Sequence, residues 1–203
     1  MTRTGPESEP RAAGADLGEH LDAVLIGGME PVIVELVDYR PEWPRTFESE
    51  RNRLRAAVGP VARRIEHVGS TSVPRLAAKD VVDVVMTVDD VEQESYARPV
   101  EALGYALRVR EPGHRCYRLM DPRVNLHVWG DDDPEVAKYL AFRDRLRAHD
   151  EDRALYERVK RDLAGREYDD VNFYADAKGE VIHEILARAE RSGGRTSPAQ
   201  RPT

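Results

Sequence analysis

Cysteine is nearly missing from this chain: Cys116 is the single one in 203 residues. One thiol cannot close an internal disulfide or build a cysteine-based zinc site, and it fits a reducing compartment. No apolar run is long enough to span a bilayer. The opening MTRTGPESEPRAAGADLGEH lacks the apolar stretch of a secretory signal. A basic stripe is lacking as well. The formal net charge is −7, with acids and bases interspersed. That excludes a broad surface tracking nucleic-acid phosphates, while leaving room for a local nucleotide pocket. The expectation is a cytoplasmic protein with no membrane partner and no extended nucleic-acid surface.

What is present fits one domain between two tails. Residues 1–30 are rich in Gly, Pro, Ala and acid, and are expected to be disordered, as are residues 191–203. The ordered part is expected over 31–190. Within it, VIVELVDY (Val32 to Tyr39) has strand composition. Trp43, Phe47, Leu54 and Val58 share one face of a helix over Glu42 to Val58, stopped by Gly59-Pro60. Arg63 to Val68 and the β-branched Asp80 to Val88 are predicted strands, the second interior to its sheet. A short helix ends near Gly104. YALRVR and RCYRLM flank EPGH as a hairpin, and Asn125 to Trp129 is a further strand. Helices are predicted over Pro134 to Ala148, Asp150 to Ala164 and Tyr168 to Glu190. The fold class is α+β, a small mixed sheet flanked by helices with a helical C-terminal part.

The stretch HVGSTSVPRLAAKDVVD carries the chemistry. Gly69 permits positive φ or close backbone approach. Ser70, Thr71 and Ser72 can cap a turn or donate to phosphate oxygens. On the loop alone a capped turn without a ligand is the better account, since Gly-Ser turns are common. Its neighbours add weight. Alternation places Val82, Val84, Met86 and Val88 on one face of the next strand, and Asp83 with Val81, Val85 and Thr87 on the other. An aspartate within such a run requires a partner or a cation. If the three strands are neighbours, His67, Asp83 and His127 converge beside the loop, as ligands for a divalent metal or as an acid–base set. Lys79 is a candidate phosphate contact, weighed against a solvated surface lysine. Arg143, Arg145 and Arg147 have the pattern of a solvated helix face, with bracing of the fold as the alternative for Arg143, next to Phe142. Cys116 has no surroundings that would activate it.

EHVGSTSVPRLAAKDVVDVVM resembles the signature stretch of the GrpB family, within the nucleotidyltransferase-like superfamily. VDYRPEWPRTFESE, HRCYRLM, NLHVWG, YLAFRDRLRAHDEDRALYERVK and FYADAKGEVIHEIL agree in order, so the resemblance spans residues 32 to 189. It implies a nucleotidyltransferase-like fold. It also implies a site in which Asp83 matches the first metal-binding carboxylate, His127 stands near the third, and Lys178, one turn from Tyr174, packs back to meet a phosphate, where the alternative is an amphipathic helix edge. The second carboxylate position is Val85, which cannot bind a metal, so the standard two-magnesium arrangement is incomplete. Two further departures are Arg75, where the family pattern has glycine, and Asp80, where it has proline. A related domain occurs fused to dephospho-CoA kinase, which is compatible with an accessory role.

The expected function is binding of a nucleotide or phosphorylated metabolite at Gly69, Ser70, Thr71 and Ser72, with Lys79 and Lys178 balancing charge. A divalent metal (magnesium or manganese, with zinc as an alternative) is expected on Asp83, His127 and His67. Nucleotidyl transfer to a small molecule, with Asp83 and His127 in catalytic roles, is the corresponding reaction. Two alternatives are a non-catalytic module with a degenerate site and a metal-dependent enzyme on a non-nucleotide substrate.

Overall fold

The computed structural model describes residues 15–193. The elements in chain order are α1 (Ala15–Val24), β1 (Val32–Ile33), α2 (Glu42–Val58), β2 (Ile65–Val68), β3 (Val82–Val88), α3 (Ala97–Ala102), β4 (Ala106–Glu111), β5 (His114–Met120) and β6 (Arg123–Gly130). The helical C-terminal part follows: α4 (Pro134–Ala148), α5 (Asp150–Leu163), the short β7 (Glu167–Tyr168), α6 (Val171–Asp176) and α7 (Gly179–Gly193). Five strands form one mixed sheet in the order β2-β3-β6-β5-β4. Only β3 and β6 run parallel; the other pairs are antiparallel. No helix among the described residues is long and apolar enough to cross a membrane.

The two faces of the sheet bury different things. Val82, Val84, Met86 and Val88 of β3 join Val124, Leu126 and Val128 of β6 in the main core. Helix α2 covers that core with Trp43, Phe47, Leu54 and Val58, the stripe its spacing predicts. On the opposite face, Val68 and Val85 pack with Val136 of α4 and, at its edge, Trp129, Tyr139 and Leu140. Helices α4, α5 and α7 make a second apolar cluster from Leu146, Tyr156, Val181 and Ile185, seated on Val73 and Leu76 just after the Gly-Ser loop. The alternation along β3 therefore holds, and Asp83 faces the C-terminal helices rather than α2.

Four expectations give way. The run Val32 to Tyr39 is a strand only at Val32–Ile33, paired with β7. The Val34 carbonyl then accepts from Gly165 N at 2.9 Å, and Val37 forms an isolated bridge with Ala78. Its backbone bonds go to separate partners, so the run ties two layers together instead of entering the sheet. The single helix expected over 168–190 breaks at Ala177-Lys178-Gly179 into α6 and α7. Part of the expected N-terminal tail is helical. Leu17, Leu21 and Leu25 form a cluster edged by Met29, Val109 and Phe173. Arg108, displaced at a bulge between Leu107 and Val109, reaches back to hold this segment. Its guanidinium donates to the carbonyls of Ile26 and Gly28 and pairs with buried Asp170 at 3.4 Å. The expected disorder at residues 1–14 and 194–203 falls outside the described residues. Finally, the arginines of α4 are not a free solvated face. Arg145 donates to buried Asp152 at 2.5 Å, while Arg143 and Arg147 hold the Gly-Ser loop.

Arg75 has φ 67°, a left-handed conformation that costs a side-chain-bearing residue about 1–2 kcal/mol. It is exposed, and it lies 3.6 Å from the exposed Asp150 carboxylate, a pair worth little. The Asp80 carboxylate accepts from Trp43 Nε1 at 2.8 Å and Arg40 Nη1 at 2.5 Å, which secures the entry to β3. Replacing Arg75 by glycine is expected to stabilise the protein by ~0.5–1 kcal/mol, after the entropy cost of glycine is set against the relieved strain. A raised urea midpoint with an unchanged slope is the result to look for.

Candidate functional site

The site grows out of the turn between β2 and β3. Gly69 has φ 65° and ψ −173°, a conformation essentially reserved for glycine. A single 3-10 turn follows over Ser70–Ser72. Ser72 spends both its backbone N–H, at 3.2 Å, and its hydroxyl, at 2.6 Å, on the Gly69 carbonyl. Thr71 is buried, with Oγ1 at 3.0 Å from His67 Nε2. From α4, Arg147 donates twice to the Ser72 carbonyl, at 3.0 and 2.8 Å, and Arg143 donates to the His67 carbonyl at 3.1 Å. The side chains of Thr71 and Ser72 are thus committed to bracing the turn, and Ser70 is the hydroxyl aimed at the C-terminal helices.

Gly69 lies against Asp83. A Cβ added at Gly69 would stand 2.4 Å from Asp83 Oδ2 and 3.0 Å from its Cβ. Register places Asp83 between Val68 and Asn125, and Asn125 Nδ2 donates to Asp83 Oδ1 at 3.0 Å. The carboxylate is held from one side by an amide and pressed onto glycine from the other.

Two lysines act on this carboxylate, and a third lies against Ser70. The ammonium groups of Lys178 and Lys79 lie 4.3 and 5.8 Å from the centroid of the same buried ring, Tyr174. Burial pushes each down to about 8, against the opposing pull of the Asp83 charge. The third is Lys160 of α5, only 1% exposed. Its Nζ donates to the Ala77 carbonyl, lies 3.1 Å from Ser70 Oγ, and sits 4.9 Å from the Tyr156 ring centroid. Burial lowers it to about 7, and the positive charges of Lys178 and Lys79 add to the effect. Asp83, Ser70 and the three lysines form one convergent cluster. Lys160 and Tyr156 are absent from the sequence expectations, although Tyr156/Lys160 repeats the four-residue spacing of Tyr174/Lys178.

His67 does not converge with this group. Antiparallel pairing puts it opposite Val84, on the face that looks toward α2, where it stacks on Phe47 at 4.8 Å. Burial, with Arg147 and Arg143 nearby, lowers its pKa to about 4. It is a neutral core imidazole, and a shared His67–Asp83–His127 metal site is ruled out by strand parity. His127 does share the face of Asp83, opposite Val85 and one side-chain repeat further on. Its Nδ1 lies 3.2 Å from His114 Nε2, and His114 Nδ1 lies 2.6 Å from Glu111 Oε1. Among the described residues, no three His, Cys, Asp or Glu side chains are gathered to hold a metal ion. With Val85 at the second carboxylate position and ammonium groups about Asp83, the donor set does not fit a protein-built two-magnesium centre.

The state of His67 yields a pH prediction. Its folded pKa lies below the ordinary histidine value of 6.5, so the unfolded chain binds more protons between about 4 and 6.5. Stability therefore falls as pH drops through that window. In His67→Gln this loss should shrink, as checked by urea unfolding at pH 7 and pH 4.5. An equal loss in both proteins would refute the assignment.

A family model described as GrpB protein matches residues 33–188. A UPF0157 protein of Streptomyces coelicolor is 47% identical over 166 residues, covering 81% of this chain and 89% of that protein. A UPF0157 protein of Halalkalibacterium halodurans is 42% identical over 177 residues, covering 84% and 91%. A dephospho-CoA kinase of Mycolicibacterium paratuberculosis is 31% identical over 186 residues, a match to 77% of this chain and 46% of that protein. Among solved structures, the conserved protein GrpB from Enterococcus faecalis superposes with a TM-score of 0.66 at 26% identity, covering 79% of this chain and all of that one. With the match running from residue 33 to 188 and the fold shared with a solved GrpB structure, the chain belongs to the GrpB family.

Proposed function

We propose that this protein binds a phosphorylated small molecule, in the first instance a nucleotide, with its phosphates held between the Gly69–Ser70 turn and Lys79, Lys160 and Lys178. The convergence of three lysines on that turn carries the reading. Lys79 and Lys178 bear on both the Asp83 carboxylate and Lys160, which crowds like charge at a low-dielectric site, and an anion relieves that crowding. Asp83, fixed by Asn125 and Gly69, is placed to accept a hydroxyl of the ligand or the proton of an acceptor.

Calorimetric titration with ATP, GTP, CTP and UTP, each with and without magnesium or manganese, tests this. Charged hydrogen bonds contribute about 1.5–3 kcal/mol. Lys178→Ala should therefore weaken binding roughly ten- to hundredfold. Failure of all four nucleotides to bind wild type would sink the nucleoside-triphosphate reading, and titration with pyrophosphate would then decide whether the pocket takes phosphate at all. Val85, in place of a carboxylate, favours a second reading, a binding module that does not turn over its ligand. Tight binding without consumption of any of the four nucleotides would select it.

A further inference from the structure

The geometry points to Ser70 as a nucleophile and Lys160 as its general base, acting on a phosphoric anhydride. Ser70 Oγ lies 3.1 Å from Lys160 Nζ, within reach for proton transfer. The two hydrogen bonds of the amine go to a carbonyl, that of Ala77, and to this hydroxyl, not to a carboxylate. The amine donates to both, and once it has lost a proton its lone pair can turn to accept from the Ser70 hydroxyl while an N–H stays on the carbonyl. The serine follows Gly69 at φ 65°, so a backbone bend aims its side chain away from β2 and toward α5.

The charged groups facing Lys160 are Lys178 and Lys79 across the pocket and Glu157 and Arg161 on its own helix. The net field is positive, and together with burial it lowers the amine to about 7, where a general base is useful near neutrality. In the step, the Ser70 Oγ–P bond forms and the P–O bond of the anhydride breaks. The serine proton passes to Lys160, which becomes an ammonium. The leaving phosphate takes the bonding electron pair and departs as an anion beside Lys79 and Lys178. This route needs no second carboxylate at position 85. It rests on the phosphate reading only for the class of electrophile.

A small alkyl fluorophosphonate tests it, since that reagent is attacked at phosphorus and loses fluoride. Intact mass and peptide mapping should find one adduct, on Ser70. Its rate should rise with pH through a midpoint of about 7. Lys160→Met should label at least ~100-fold more slowly, and Lys160→Arg should not restore the rate, since its guanidinium stays protonated. Nitrogen NMR of the lysine side chains supplies a readout on the unmodified protein: a neutral Lys160 amine at pH 8.5 is expected, and an ammonium persisting to pH 10 overturns the base. Folded wild type left unlabelled at Ser70 up to pH 9 overturns the nucleophile, even where nucleotide binding persists. Ser70 labelling without any phosphate binding supports the dyad and removes the phosphate reading alone. An unchanged rate in folded Lys160→Met overturns the role of Lys160.

Discussion

Gly69→Ala should destabilise the protein by roughly 2–5 kcal/mol, the sum of two separate penalties. The first is conformational. At φ 65° and ψ −173° an alanine sits in a region that costs ~1–3 kcal/mol. The second is steric. The new methyl would stand 2.4 Å from Asp83 Oδ2, and Asp83 is held in place by Asn125 and by its position within β3. Forcing apart packed atoms of that kind costs another ~1–3 kcal/mol. Against a total stability of about 5–15 kcal/mol, this is a large fraction. The two penalties separate in a double-mutant cycle. Asp83→Ala removes the carboxylate contact but leaves the backbone strain, so Gly69→Ala/Asp83→Ala should recover about 1–2 kcal/mol relative to additivity. Urea unfolding of the four proteins measures it. Strict additivity would mean that Asp83 does not rest on Gly69. An unchanged midpoint in Gly69→Ala would overturn the backbone geometry of the loop itself.

This contact also shows what the sequence makes legible. A glycine at the end of a strand and an aspartate inside a β-branched strand can be read directly, because alternation assigns the faces of β3 without knowing its neighbours. His67 is different. Whether it shares a face with Asp83 depends on how β2 registers against β3, and Val68 rather than His67 falls opposite the aspartate. No pattern within either strand contains that parity. Lys160 was hidden for another reason. In DEDRALYERVKRDL it is one of many charges, and only the packing of α5 against Val73 and Leu76 carries it to Ser70. The repeated Tyr-x-x-x-Lys spacing was the available signal. The first helix was also there to be seen, in Leu17, Leu21 and Leu25, but glycines and acids around it dilute the period. Helix α2 and helix α4 were the easiest to place, each with a long stripe or a clear start: Asp133 caps α4 by accepting from Glu135 N at 2.8 Å.

The lysine cluster should leave a large mark on the pH dependence of stability. Lys160 is down to about 7 in the folded protein, against 10.5 for an ordinary lysine. Between those values the unfolded chain binds more protons than the folded one, so stability rises with pH across the window and falls as pH drops through it. Below pH 7 the full cost of the buried charge is present. For a residue this enclosed, that cost is on the order of a few kcal/mol. Lys79 and Lys178, each at about 8, add smaller contributions of the same sign between pH 8 and 10.5. Lys160→Met should therefore flatten the stability profile between pH 7 and pH 10, and the variant should be relatively more stable at the acid end. Urea unfolding across that range checks it. A profile that keeps its slope would mean that Lys160 stays charged and paired, which would also remove it as a base for Ser70. The same linkage operates on ligands. An anion that settles among the three lysine amines raises their proton affinity, so binding at pH 8 should take up protons. Titrations in buffers of different ionisation enthalpy would read that uptake directly, and it should diminish in Lys160→Met. Binding without proton uptake would place the anion away from this cluster.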